Sequence, residues 1–218
     1  MKNQKLIVEP IERKGKQYYF SKISLILFPL GSILLAILLI EFFELRVNTW
    51  WQEITAKQAC YLLNNYFNTY AYIEYIAGNT YPWIIKTIHS SNILVLPDCT
   101  GSIAISIACS IIIFTPHSKD PKIKYNIIWR KVLDIILTVS LIHLFNVVRI
   151  AFLVYFLEYG VPYHFLHESA MMILSIIIHL NIFLFCNKLI REWYMSILYS
   201  GKILYNYIFL KKNIVKTV

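Results

Sequence analysis

The sequence predicts an all-α integral membrane protein. It has about four transmembrane helices, both termini on the cytoplasmic side, and an extracytoplasmic helical and hairpin region over 44–98. Three observations carry this reading. Hydrophobic residues make up 58% of the chain and charged residues 15%, against about 25% charged in an ordinary soluble domain. Apolar runs of membrane-helix character recur along the 218 residues. Seventeen of the 21 lysines and arginines fall in three segments, 1–22, 115–131 and 188–218, that alternate with those runs. Only Arg46, Lys57, Lys86 and Arg149 remain for the other side, which is a positive-inside pattern. The net charge of +9 would suit nucleic acid or an anionic membrane surface. Its placement favours the lipid bilayer as partner, and no nucleic acid is expected.

The chain reads as one membrane domain, 1–218. Residues 1–22 form a basic cytoplasmic N-terminus, 23–187 the transmembrane core, and 188–218 a basic cytoplasmic or interfacial tail. The first run, Ile23 to Phe43, reads as a retained signal anchor, because no small-residue cleavage site follows it. Pro29 is placed near its start, where a missing backbone donor costs little. Trp50 and Trp51 suit an interfacial belt. Over Ile54 to Ala77, Tyr61, Leu62, Phe67, Tyr70 and Ile73 recur at roughly helical spacing, predicting one or two helices near the membrane surface. Gly78-Asn79 marks a turn. Trp83-Ile84-Ile85 and Ile93-Leu94-Val95-Leu96, flanking a polar stretch, predict a short hairpin.

Ser102 to Phe114 is a second, short span. It has the needed length only if the chain near Cys99 already lies in the headgroup region or below it. Val132 to about Ala151 is the third span. Phe152 to Leu166 is a connection that partly continues that helix, and His167 to Asn187 is the fourth span. Trp193 to Leu210 reads as interfacial, with a fifth span as the alternative.

Chemistry gathers at one end of these helices. Pro97-Asp98-Cys99-Thr100-Gly101 opens the second span. A thiolate is stabilised by a helix N-terminus or a nearby cation, and Gly101 permits close approach of a substrate backbone. The alternatives for Cys99 are a small apolar filler, the role expected of Cys109 and Cys186, or a disulfide with Cys60 on the same side. Arg149, at the end of an apolar span and away from the cytoplasmic side, is a functional candidate by its cost. It could hold a thiolate, a substrate carboxylate or an oxyanion. Asn146, one turn earlier on the same face, could donate to an oxyanion or orient Arg149. His167 could act as base and then as acid beside a cysteine, with His164 as its rival on the same face. Glu168 or Asp98 could orient the imidazole. His143 and His179 are expected to make interhelical hydrogen bonds. His164, His167 and Glu168 lack a third convincing ligand for zinc, so no metal is expected.

The ordered set is Cys99-Thr100-Gly101 entering one span, Asn146-x-x-Arg149 at the outer end of the next, and His167 opening the last. It resembles the exosortase/archaeosortase family, over residues 90 to 185. The resemblance implies a multi-pass enzyme of the cell (inner or plasma) membrane with its active site at the extracytoplasmic face. It implies a cysteine protease and transpeptidase that cuts C-terminal hydrophobic sorting signals of exported proteins through a thioester. The product passes to an acceptor, and no cofactor is used. It assigns Cys99 as nucleophile, Arg149 as catalytic arginine and His167 as catalytic histidine. This chain is shorter than many members, has Met171 where glycine is frequent four residues after the histidine, and has Thr100 where many carry serine. The alternative is a non-enzymatic membrane subunit of an envelope-polymer or export assembly. A transporter is disfavoured because no internal repeat is visible.

Overall fold

The computed structural model describes residues 11–13, 16–18, 20–45, 48–88, 92–118 and 127–201. Two short antiparallel strands, β1 (Ile11–Arg13) and β2 (Lys16–Tyr18), precede helix α1 (Lys22–Glu44). α1 starts at Ser21, whose hydroxyl accepts from the Ser24 amide at 3.1 Å, an N-cap that satisfies one orphan donor. Pro29 therefore lies in the interior of the helix and not in its first turn. It removes one ladder hydrogen bond, a loss that neighbouring helices tolerate in membrane segments. The flank carrying Leu30, Leu34 and Leu38 is more than half exposed. Such a face is untenable in water and natural in lipid.

α1 packs on α3 (Ser102–Phe114). Gly31 makes this contact possible, because a Cβ there would fall 2.7 Å from Cζ of Phe114 and closer still to other atoms of its ring. α3 alone is about 20 Å long at 1.5 Å per residue. The 3₁₀ turn Pro97–Thr100 extends it at one end, adding about 8 Å at 2.0 Å per residue. The combined segment matches the stretch of α4 (Ile127–Glu158) between Lys131 and Arg149, which is about 27 Å. Lys131 Nζ donates to the carbonyls of Ile113 and Thr115, both at 2.7 Å, and so satisfies the end of α3. At the other end Arg149 Nη2 donates to the Cys99 carbonyl at 3.3 Å. A short apolar helix thus runs alongside its longer neighbour, fixed at both ends by basic residues.

α4 begins five residues earlier than the predicted third span and continues to Glu158. It closes in a Schellman turn, with Gly160 at φ 78° and Val161 N–H donating to Phe156 O at 3.2 Å. The chain restarts through a π-helical turn, Phe165–Ala170, into α5 (Met171–Cys186). A further helix, α6, covers residues 191–201. Its Met195 and Tyr199 pack with Tyr18, Phe20 and Leu25 at the basic end of the bundle. Arg130 pairs there with fully buried Glu192 at 2.7 Å. The first half of the predicted interfacial stretch, 193–201, is helical, and its second half, with the rest of the tail beyond 201, lies outside the described residues.

The chain is a membrane protein. Among the described residues, three helices are long and apolar enough to cross a membrane: Ile23–Glu44, Ile127–Glu158 and Phe165–Cys186. α3 is shorter.

The region between α1 and α3 is one small layered unit. Helix α2 (Trp50–Tyr66) buries Ala56, Ala59, Cys60 and Leu63, spaced i, i+3, i+4, i+7. They meet Val147, Ile150, Ala151 and Val154 of α4, which have the same spacing. Tyr61 and Tyr70, two of the residues recurring at roughly helical spacing, are 64% and 73% exposed. The helix also ends at Tyr66, short of the predicted limit. The Asn64 side chain clamps both the amide and the carbonyl of Ala71 and turns the chain into β3 (Tyr72–Tyr75). β3 pairs antiparallel with β4 (Trp83–Lys86), and β4 with β5 (Ile93–Leu94). The predicted hairpin is present, with β3 as an added strand. Ile85, Ile93 and Val95 from the sheet complete the core beneath α2.

Candidate active site

The sheet delivers the chain straight to the site. Val95 N–H still donates to Trp83 O at 3.0 Å, and four residues later comes Cys99. The 3₁₀ turn is tied down by two hydroxyls that converge on one carbonyl. Thr100 Oγ1 donates to Pro97 O at 2.6 Å and Ser102 Oγ to the same oxygen at 3.0 Å. Thr100 is fully buried, so its hydroxyl shapes the turn. Gly101 then adopts φ 79°, a left-handed conformation that only glycine takes cheaply. A Cβ at this position would collide with Nδ2 of Asn146 and lie 3.1 Å from Cγ2 of Ile142. The glycine was expected to admit a substrate backbone. In the structure it admits Asn146.

Asn146 is fully buried. Its amide nitrogen donates to Ile142 O at 2.8 Å and to His179 Nε2 at 2.9 Å, joining α4 to α5. With both amide hydrogens engaged, Asn146 buttresses the α3–α4–α5 junction and offers no hydrogen to an oxyanion. His179 and His143 both make interhelical hydrogen bonds, the latter to Gln58 Oε1 on α2 at 2.7 Å.

Arg149 stands one turn above Asn146. Nη1 donates to Ser175 Oγ at 2.8 Å and Nη2 to the Cys99 carbonyl. Ser175 in turn donates to Met171 O at 2.5 Å. The guanidinium is therefore held between the nucleophile candidate's own backbone and α5.

His167 sits in the π-helical turn. The wider turn shifts the register of the residues that follow. His167 Nε2 is 3.7 Å from Cys99 Sγ. The Tyr163 ring lies parallel on the imidazole, with centroids 4.9 Å apart and an 11° interplanar angle, so the ring's orientation is set from behind. His164 is exposed. The Glu168 side chain lies outside the described residues. Asp98 is exposed at the rim of the cavity.

The thiol environment corrects one expectation. Burial pushes the Cys99 thiol above its ordinary value; Arg149 and a hydrogen bond to the Leu96 backbone pull it down, and Asp98 adds to the rise. Burial wins, so Cys99 rests as a thiol at neutral pH. All four cysteines are free, so the Cys60–Cys99 disulfide is not formed. Cys60 packs in the core beneath α2, where burial pushes its thiol up to about 12. Among the described residues no cation opposes that shift, and Cys60 packs with Ala56, Ala59 and Leu63 as part of the core.

Cys99, Arg149 and His167 converge on one cavity of about 990 Å³. Chemically, such an arrangement can set a thiol beside a nitrogen base and a fixed cation. Sequence reasoning missed Ser175 and Tyr163. Tyr163 stands four residues before His167, and Ser175 eight after it, but the π-helical turn Phe165–Ala170 shifts the register between them, so regular helical spacing does not mark Ser175. Residues 20–184 match the family described as transmembrane exosortase. The chain belongs to the transmembrane exosortase family. No curated protein and no solved structure matches it.

Proposed function

We propose that this exosortase is a membrane-embedded cysteine transpeptidase. It cleaves C-terminal sorting signals of exported proteins and passes the new end to an acceptor. Family membership supports the class of reaction. The observation that carries the assignment of roles is the 3.7 Å approach of His167 Nε2 to Cys99 Sγ, with Arg149 anchored on the Cys99 carbonyl. Cys99 is the nucleophile, His167 the proton carrier and Arg149 the oxyanion partner. On this reading the chain has four spans with both termini inside and the site at the extracytoplasmic face, which the lysine and arginine distribution supports.

As Sγ attacks the peptide carbonyl, its proton moves to Nε2 of His167 and the oxyanion forms beside Arg149. The C–N bond breaks, the leaving amine takes the proton from His167, and a thioester remains on Cys99. An acceptor amine or hydroxyl then attacks the thioester and gives its proton to His167. As the C–S bond breaks, Cys99 leaves as thiolate and recovers that proton. Water can take the acceptor's place, and the apolar walls disfavour it.

The test is Cys99→Ala at equal membrane abundance, with the C-termini of exported proteins compared by intact mass. A set of proteins that keeps a hydrophobic tail only in the mutant is expected. If no C-terminus changes while Arg149→Ala still gives a phenotype, the enzyme reading fails and the non-enzymatic subunit takes its place.

A further inference from the structure

The cavity does not end at Cys99. It continues along the bundle to Ile111 on α3 and Phe183 on α5. Ile111 stands twelve residues after Cys99 and Phe183 sixteen after His167. At 1.5 Å per residue the groove follows its walls for roughly 18 to 24 Å, much of the ~30 Å hydrocarbon core. α3 and α5 both pack on α4 and leave the groove between them, with Ile142 and Leu153 of α4 in its floor. Its polar groups gather at one end: Asp98, Cys99, Arg149 and His167. Farther in, Ser175 and His179 alone among the described residues interrupt the apolar lining, and both are already hydrogen-bonded, to Arg149 and Asn146. Among the described residues, no charged side chain lines that deeper part.

We infer that this groove seats, as a helix, the hydrophobic segment that follows the scissile bond in the substrate. The segment lies parallel to α3 and α5 and antiparallel to α4. The inference rests on the sorting reading above and adds where the substrate's membrane segment is held. The reasoning begins at the nucleophile. A substrate whose reacting carbonyl stands at Cys99 has its next residues at the head of the groove, so carbonyl and groove occupant are one covalent chain. Within hydrocarbon that chain must satisfy its own backbone, which only a helix does. α3 and α5 both run inward from the site, so a helix entering from Cys99 runs beside them in the same sense. Ala104 and Ala108 keep the α3 wall low, as close helix packing in membranes requires. A lipid acyl chain would match the apolar lining, but it has no bond to the group at Cys99.

The experiment places a photo-crosslinking amino acid at Ile107 or Leu180, inside the groove. Control positions are Ile177 and Leu144, which are 52% and 58% exposed and do not line it. All four are made in the Cys99→Ala chain in its own membranes, so that unprocessed substrate accumulates. The expected result is a crosslink from Ile107 and Leu180 to the same proteins that keep their tails in Cys99→Ala, mapped to the apolar tail, at least about tenfold above the controls. Ala104→Trp, which fills the groove, should slow tail removal about tenfold or more. A small membrane-permeant maleimide should still alkylate Cys99 in that variant. If tailed precursors accumulate but the groove positions crosslink only lipid, or no better than the controls, the groove assignment is overturned and the sorting reading stands. If Cys99→Ala accumulates no tailed precursor, the sorting reading itself falls and takes the groove assignment with it.

Discussion

Gly101→Ala is the sharpest single perturbation of this site. The backbone at 101 has φ 79°, and a left-handed alanine costs roughly 1–2 kcal/mol. The added methyl group would also occupy the space of the Asn146 amide. That amide must then leave Ile142 O or His179, and a buried group stripped of its partner costs about 1–3 kcal/mol. Together the loss is about 2–5 kcal/mol, or on the order of 5–20 °C in melting temperature for a chain of this size. The assay is thermal unfolding of the detergent-solubilised protein, run as a cycle with Asn146→Ala. Removing the Asn146 side chain relieves the collision, so the double variant should be less destabilised than the two single losses added together. Neighbouring residues that share a contact couple by about 0.5–3 kcal/mol. Strict additivity would refute the claim that Gly101 exists to admit Asn146. A Gly101→Ala melting temperature within about 2 °C of wild type would refute the left-handed turn as well.

The site and its supports give four more predictions. Maleimide alkylation of Cys99 should keep accelerating above pH 9.0, the ordinary thiol value, because burial raises this thiol; a plateau below pH 8 would contradict that. In Arg149→Gln the same curve should move to higher pH, since the guanidinium favours the thiolate, and an unmoved or lowered curve would count against the pairing. Ser175→Ala removes the 2.8 Å partner of Arg149 and should slow tail removal about tenfold, the equivalent of one net hydrogen bond, while Ser175→Thr keeps most of the rate. Lys131→Met strips two 2.7 Å bonds from the end of α3 and should lower thermal stability by about 1.5–3 kcal/mol, with the pH curve of Cys99 alkylation unmoved.

Length and apolar composition made α1, α4 and α5 readable before any coordinates, because lipid imposes a one-dimensional constraint that a sequence states directly. The hairpin over 83–96 was readable for a similar local reason, two β-prone runs across a polar stretch. The packing face of α2 was not. Its buried stripe is Ala56, Ala59, Cys60 and Leu63, mostly small residues, while the bulky Tyr61 points outward. Small residues are where helices approach closely, and they carry little weight in a hydropathy pattern. Pro29 was misplaced although the start was read to within one residue, Ile23 against Lys22: about two turns already precede it on either start. At the site, Cys99, Arg149 and His167 stood out because each is chemically conspicuous at a helix end. Ser175 and Tyr163 did not, since their roles depend on which face of α5 turns inward. The π-helical turn that sets the register there has no sequence signature that a periodicity count detects. The partner of Gly101 was likewise hidden, because a tertiary contact 45 residues away decides it.

Burial of Cys99 has two consequences that belong together on the proposed reading. Arg149 lowers the free energy of a thiolate, yet desolvation at 6% exposure outweighs it. The resting nucleophile is therefore a thiol, and deprotonation has to accompany attack rather than precede it. His167 suits that order, since an imidazole accepts the proton only as negative charge moves onto the substrate oxygen, where Arg149 can meet it. A preformed thiolate–imidazolium pair would place a second cation beside Arg149 in a medium that screens charge poorly. The same apolar enclosure also limits the water available to the thioester. A mutation that admitted water to the cavity would thus act in two opposed ways. It would make Cys99 easier to ionise and its acyl intermediate easier to hydrolyse. The ratio of hydrolysed to transferred product would rise even where total turnover did not fall. That divergence separates an enzyme that excludes water for transfer from one whose cysteine is merely buried.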